Sequence, residues 1–175
     1  MKPTVEEIKQ LLKYEDGFVY HRADKRGTSI KAGGIAMDSM KGGGKSGGYK
    51  VGFISGFKKM YRTHIVIWAM HNGRWPLDGL EIDHINHNKT DNRIENLREV
   101  SRVEQCRNMK MNKTNTSGHT GVSYRKDKLK WRAYIMEDNK QISLGHFYKL
   151  EDAIAARKKA EVEMGFHPNH GKAAV

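Results

Sequence analysis

Apolar positions recur at helical spacing from the start of the chain. Val5, Ile8, Leu11 and Leu12 form one stripe behind Thr4, and Glu7 completes a capping box with Thr4, which predicts an opening helix. Asp16-Gly17 ahead of Phe18-Val19-Tyr20 reads as a tight turn into a strand. Residues 31–48 are glycine-rich and carry Lys31, Lys41 and Lys45, a loop that builds no core and serves either as a surface insertion or as a phosphate-touching segment. Tyr49, Val51 and Phe53 alternate with polar or small residues, predicting a strand over 49–54; Gly56 turns it towards a second over 58–62. Thr63 then begins a short helix, with Ile65 and Trp68 inward, that Asn72-Gly73 and Pro76 stop.

Past residue 118 the period changes to two. Gly121–Arg125, Lys130–Ile135 and Gln141–Gly145 alternate and are separated by polar turns, and Leu150 to Met164 carries Ala153, Ile154, Ala156 and Ala160 before a C-capping Gly165. Three antiparallel strands and one packed helix follow from that pattern. Val122, Tyr124, Ala133, Ile135, Ile142 and Leu144 should cover the helix. Ser123, Arg125, Arg132, Tyr134, Gln141 and Ser143 should face outward. Trp131 shares register with Ala133 but sits at a strand end, where it could stack on a sugar. Met109 to His119 is polar and aperiodic, an interdomain linker centred on 111–117.

Composition narrows the partner. The chain has 175 residues, enough for one medium or two small domains, and a formal net charge of +12 that favours a polyanion, with nucleic acid first. Its single cysteine, Cys106, excludes an internal disulfide and a multi-cysteine zinc site, and reads as a small packing residue on a 101–111 helix. No apolar run approaches the roughly 20 residues that span a bilayer and no signal-peptide core is present, so a cytoplasmic protein is expected. The tail Phe166–Gly171 holds His167 and His170 and reads as a packing loop with no site.

Candidate chemistry crowds into residues 80–108. A short apolar run ends in Asp83-His84, an Asn- and Asp-rich loop follows, and a second run, Leu97 to Val100, meets a capping box of Ser101 and Glu104. The pattern is strand, loop, strand, helix, with Gln105 and Asn108 about a turn apart on one helical face. Phosphodiester hydrolysis needs a water deprotonated near neutral pH and a cation to stabilise the phosphorane and leaving oxygen. Imidazole suits the base role, with a pKa of about 6.5. A carboxylate plus an amide oxygen is a hard donor set that favours Mg²⁺ or Mn²⁺ over zinc.

This stretch resembles the HNH endonucleases, whose fold is the ββα-metal finger. The resemblance rests on Asp83-His84, on Asn96 twelve residues after the histidine, and on Gln105 nine residues further on. It implies that Asp83 binds one divalent metal ion per active site, that His84 is the general base and that Asn96 braces the loop. The remaining signature position, normally His or Asn, is Gln105, a second metal ligand with a weakened hold. The Tyr61-Arg62-Thr63-His64 to Gly73-Arg74-Trp75-Pro76 run is similar to the segment preceding Asp-His in phage HNH enzymes and extends the resemblance over about residues 1–110. Arg62 and His64 then become candidate phosphate contacts, with Arg93 and Arg98 as phosphate clamps beside the metal.

The C-terminal strands resemble the AP-two, or ethylene-response-factor, DNA-binding domain through Ser117-Gly118, Gly121-Val122, Lys130-Trp131, Ala133, Ile135, Leu144-Gly145, Phe147, Ala153 and Ala156. That implies a sheet lying in the major groove, with Arg125, Trp131, Arg132, Tyr134, Gln141 and Ser143 towards DNA. The expectation is an α+β protein: an HNH nuclease domain at 1–110, a linker at 111–117 and a DNA-binding domain at 118–175. Its partner is double-stranded DNA, with no membrane, and its activity that of a phage homing-type endonuclease. One active site per chain predicts nicking by a monomer; a symmetric dimer could cut both strands. The rivals are a DNA-binding regulator with a degenerate finger, motivated by Gln105, and an RNA-binding or RNA-cleaving protein.

Overall fold

The computed structural model describes residues 2–26, 28–40, 48–137 and 140–172, so Lys41 and Lys45 of the glycine-rich segment lie outside the described residues. These residues form a mixed α/β protein of two compact units, Met1–Arg102 and Val103–Val175.

In the first unit, helix α1 (Val5–Leu11) opens on the expected capping box: Thr4 Oγ1 accepts from the Glu7 backbone and Glu7 Oε2 from the Thr4 backbone. The helix ends one residue short of the stripe, because Leu12 already pairs with His21 as the first residue of a hairpin. That hairpin, β1 (Leu12–Glu15) and β2 (Phe18–His21), is extended by β3 (Ile35–Ala36). Its turn needs left-handed backbone, φ 44° at Asp16 and φ 81° at Gly17. Glycine supplies the second at no steric cost, and a Cβ there would also press on the Arg93 backbone at 3.1 Å.

A second sheet, β4 (Ser39–Met40), β5 (Lys50–Phe53) and β6 (Met60–Arg62), leads into helix α2 (Thr63–Asn72), which stops at Gly73 in the left-handed region. Thr63, His64, Val66, Ile67, Trp68, Ala69 and Met70 are all buried, so α2 is wrapped by the unit and is not a one-faced surface helix. Around it pack Ile8, Leu12, Val19, Ile54, Ile82 and Leu97. Two antiparallel strands complete this unit, β7 (Leu80–His84) and β8 (Leu97–Ser101), joined through a 3-10 turn at Ile94–Asn96.

Helix α3 (Arg102–Cys106) follows directly. It starts where the Ser101 signal predicts but is shorter than the expected 101–111 helix. Asn108 lies in the turn beyond it, buried, with its backbone N–H bonded to the Gln105 carbonyl at 3.0 Å. Cys106 is exposed and so is not the packing residue anticipated.

The second unit contains β9 (Val122–Arg125), β10 (Lys130–Glu137), β11 (Lys140–Phe147) and helix α4 (Leu150–Glu163), the strands ordered β11-β10-β9 and antiparallel. Val122, Ala133 and Ala153 form its core, with Trp131, Leu144, Phe147 and Leu150 against them. Close approach here depends on Gly121, where a Cβ would lie 2.5 Å from the Tyr134 carbonyl and 2.8 Å from the Arg157 guanidinium. That buried arginine donates to the same carbonyl at 2.7 Å and pairs with Glu161 at 2.7 Å, so its charge is compensated inside the fold. The 111–117 segment is followed by local anchoring, with the Ser117 hydroxyl on the Val122 carbonyl at 2.7 Å. Among the described residues no helix is long and apolar enough to cross a membrane.

Candidate active site

Strand alternation separates the two central residues. Along β7 the buried positions are Ile82 and His84, whereas Asp83 is half-buried and pairs in register with Arg98 of β8. Opposite charges at directly facing positions attract. Arg98 Nη2 reaches Asp83 Oδ2 at 3.1 Å. The arginine expected to clamp phosphate is thus the cross-strand counter-ion of the expected metal ligand.

His84 is 3 % exposed. Its Nε2 lies 3.0 Å from Asn92 Oδ1, and its ring packs against His64 at 4.8 Å edge-on and against Tyr49 at 5.8 Å. Burial lowers its pKa below the ordinary histidine value, against the opposing pull of the Asn92 hydrogen bond and of Asp83 and Asp91. The imidazole is therefore neutral at pH 7, the state a general base requires.

The loop between His84 and Asn96 is wound by its own side chains. Asn86 Oδ1 accepts from the Asn88 backbone at 2.9 Å, Asn88 Oδ1 from Thr90 at 3.2 Å and Asp91 Oδ1 from Arg93 at 3.4 Å, a succession of Asx turns. Asn96 ties the loop's ends. Its Oδ1 accepts from the Asn86 N–H at 3.0 Å, and its Nδ2 donates to Asn86 Oδ1 at 2.9 Å and to the Asp91 carbonyl at 2.8 Å. Arg93 grips Asp91 with two bonds of 2.9 Å, which pulls that carboxyl down to a pKa of about 2, so this arginine too is committed within the loop. The Tyr14 hydroxyl accepts from the Ile94 N–H at 3.1 Å, anchoring the loop from the N-terminal hairpin.

Arg62 is exposed, with its guanidinium 5.0 Å from the Tyr49 ring centroid. His64 is not: at 2 % exposed it lies under the surface against His84 and Tyr49, which corrects the expectation of a phosphate contact. Its Nδ1 is buried and has no hydrogen-bond partner among the described residues. Burial, followed by the charges of His84, Arg62 and Lys89, holds its pKa well below the usual value. A histidine buried neutral has full stabilising effect at high pH and loses it as pH falls below about 6.5, where the unfolded chain takes up the proton first. The unfolding free energy from urea titrations should therefore drop between pH 7.5 and 5 by up to about 1.4 kcal/mol per pH unit per histidine, and His64→Leu should show a smaller drop. Equal drops in both proteins would mean that His64 is not the cause.

Sequence reasoning missed Tyr49, Lys89 and Asn92. Each meets the site through a contact distant in sequence or inside an irregular loop, and no periodicity marks such a contact. Gln105 is half-buried on α3 in the second unit.

On the second unit's sheet, register puts Ser123, Arg125, Arg132, Tyr134 and Ser143 on one face, together with Gln141, Lys130 and His146. A register shift between Ala133 and Tyr134 passes over Leu144 and keeps that face continuous. Arg125 is bidentate to Asp127 at 2.9 Å, and Arg132 stands beside both the Gln141 amide and the Tyr134 ring. Trp131 is on the opposite face, packed edge-on against Tyr124 at 5.1 Å and against the helix-side core, so its expected DNA contact is not supported by its position.

Residues 61–107 match the HNH endonuclease family. Over 98 residues the chain is 40% identical to "Protein 3.8" of Escherichia phage T7, a span that covers 56% of this chain and 77% of that protein. No solved structure matches. The chain belongs to the family of the phage T7 protein 3.8 and carries an HNH endonuclease domain at residues 61–107.

Proposed function

We propose that the protein is a metal-dependent, homing-type HNH endonuclease that hydrolyses phosphodiester bonds in double-stranded DNA. The observation that carries this reading is His84: a neutral imidazole at the end of β7, next to Asp83 and aligned by Asn92, inside the HNH match. The Asn92 amide fixes the ring at Nε2, and the imidazole is the group that takes the proton from the attacking water. Asn96 is the brace, and β7 and β8 are the strand pair of the finger that the HNH match over residues 61–107 implies.

Asp83 fits a hard divalent cation by its chemistry. Among the described residues no three His, Cys, Asp or Glu side chains converge, so Asp83 would be the charged ligand of an open shell completed by amide, water and phosphate oxygens. An Mg²⁺ or Mn²⁺ ion there would stabilise the charge developing on the phosphate and the leaving oxygen. Arg98 neutralises Asp83 when no ion is bound. A ligand role for Gln105 rests on sequence spacing, and its extra methylene relative to Asn predicts a raised metal requirement. Incubating supercoiled plasmid across a series of Mg²⁺ and Mn²⁺ concentrations tests the reading: nicked circles, or linear DNA if a dimer acts, are expected, and no conversion at any concentration would refute it. That refutation would favour the rival regulator, to which the engagement of Asp83 by Arg98 gives some support.

The nuclease domain extends over 1–110 and the C-terminal residues 118–175 provide DNA affinity and sequence preference through the outer sheet face, where arginine reads guanine and glutamine adenine. Arg132→Ala with Gln141→Ala in the full chain should weaken binding to a cleaved plasmid fragment and flatten its preference among fragments, while the rate at saturating protein is kept. Unchanged affinity and unchanged preference would remove the DNA-reading role from this face.

A further inference from the structure

Tyr49 lies outside the HNH match, just before β5, with its half-buried ring beside both histidines: 4.9 Å from His64 and 5.8 Å from His84. Two cations meet that ring. The Arg62 guanidinium stands 5.0 Å from its centroid and the Lys89 ammonium 4.6 Å, one from the end of β6 and the other from the loop after β7. An aromatic face attracts each of them. Each of the two cations would gain from the negative charge of an anion bound at this ring. The positive field reaches the base: Arg62 and Lys89 both push His64 towards its neutral form, and Lys89 does the same to His84. Asp83 and Glu81 supply negative charge near the Tyr49 phenol; Asp83 is paired with Arg98 at 3.1 Å and Glu81 with Arg102 at 3.6 Å. Beneath the ring the His64 Nδ1 is buried with no partner among the described residues, a polar atom left over in the same cluster.

We propose that Tyr49, Arg62 and Lys89 form a phosphate clamp: the ring gathers the two cations so that they hold the non-bridging oxygens of the phosphodiester presented to His84. That this phosphate is the one cut rests on the nuclease reading above; that the clamp takes a backbone phosphate of double-stranded DNA does not. Tyr49 is a positioning residue, and Arg62 and Lys89 are the groups that touch substrate.

Two readouts test the clamp in the full-length chain. In a His84→Ala background, which cannot cut, duplex binding is measured against salt concentration. Lys89→Ala and Arg62→Ala should each reduce the slope of log affinity against log salt by about 0.9, the value for one phosphate contact. Tyr49→Leu changes no charge, yet should reduce the same slope because the cations are no longer held together, and Tyr49→Phe, which keeps the ring, should rescue it. With His84 present, Lys89→Ala should lower kcat on plasmid by about 10²-fold, as for removal of one oxyanion donor, in addition to any rise in KM from the lost contact. Should Tyr49→Leu fail to fold by circular dichroism, the two cation variants and Tyr49→Phe still decide. If the wild-type protein cuts and all variants match it in slope and kcat, the clamp is refuted and the nuclease reading stands. If the wild-type protein does not cut, the nuclease reading fails while the slopes still confirm or refute the clamp.

Discussion

Replacing His84 with alanine should abolish plasmid conversion, an expected loss of about 10²–10⁴-fold or more, while affinity for duplex DNA should stay close to wild type. The two effects should separate because the proposed general base acts on a water proton in the transition state and contributes little to ground-state binding. Geometry supports the assignment: His84 is buried, held at Nε2 by Asn92 and boxed by the rings of Tyr49 and His64, so the orientation of its ring is fixed. Burial also keeps the ring neutral at pH 7, so the base needs no prior deprotonation. His84→Ala leaves a cavity among these rings, and His84→Gln, which fills it, controls for packing; it should be equally inactive. The decisive measurement is the initial rate of nicking at saturating Mg²⁺, alongside filter binding of the same DNA. A His84→Gln protein that nicks at the wild-type rate would remove the general base from this position.

Local signals made much of this architecture legible. The Thr4 and Glu7 box, the Gly73 stop and the period-two alternation of the last three strands act within a few residues, and each element forms where those signals stand. The strand, loop, strand and helix order around Asp83-His84 was equally readable, since Asn and Asp wind the loop through their own backbone. What stayed hidden was set by distance in sequence. The fate of Arg98 depends on the β7–β8 register, which places it opposite Asp83. His64 reads as a candidate phosphate contact from the sequence, yet α2 is enclosed on nearly all sides and takes it into the interior. Trp131 follows the alternation of its strand to the helix side, so the strand-end position that suggested a sugar contact did not decide its orientation. Tyr49 and Asn92 could not be found from spacing, because one reaches His84 across dozens of residues and the other from inside an irregular loop.

The brace at Asn96 should be nearly as sensitive as the base, and for a reason that reads out in stability as well as rate. Asn96 is 7 % exposed and satisfies the Asn86 N–H, the Asn86 side-chain oxygen and the Asp91 carbonyl with one amide. Alanine would strand the Asn86 N–H and the Asp91 carbonyl in a half-buried loop, while Asn86 Oδ1 keeps the Asn88 N–H; leaving buried polar groups unpaired costs about 1–3 kcal/mol each, and partial access to water brings the expected total to about 2–4 kcal/mol. The same loop carries Asn92, so its loosening releases Nε2 of His84 and lets the imidazole rotate away from the attacking water. Asn96→Ala should therefore lower both the urea midpoint and the nicking rate, the rate by about 10²-fold even at temperatures where the protein remains folded. Asn96→Asp separates the contributions: it keeps an acceptor for the Asn86 N–H but turns a carboxylate towards the Asp91 carbonyl and the Asn86 oxygen, so it should be no better than alanine. Asn92→Ala should reproduce the rate loss with a smaller change in stability, since the hydrogen bond it removes is the one to His84. Denaturation midpoints and single-turnover nicking rates of the three variants at one temperature check this. Asn96→Ala with wild-type midpoint and rate would show that the loop holds its shape without the amide, and that the alignment of His84 comes from the surrounding rings alone.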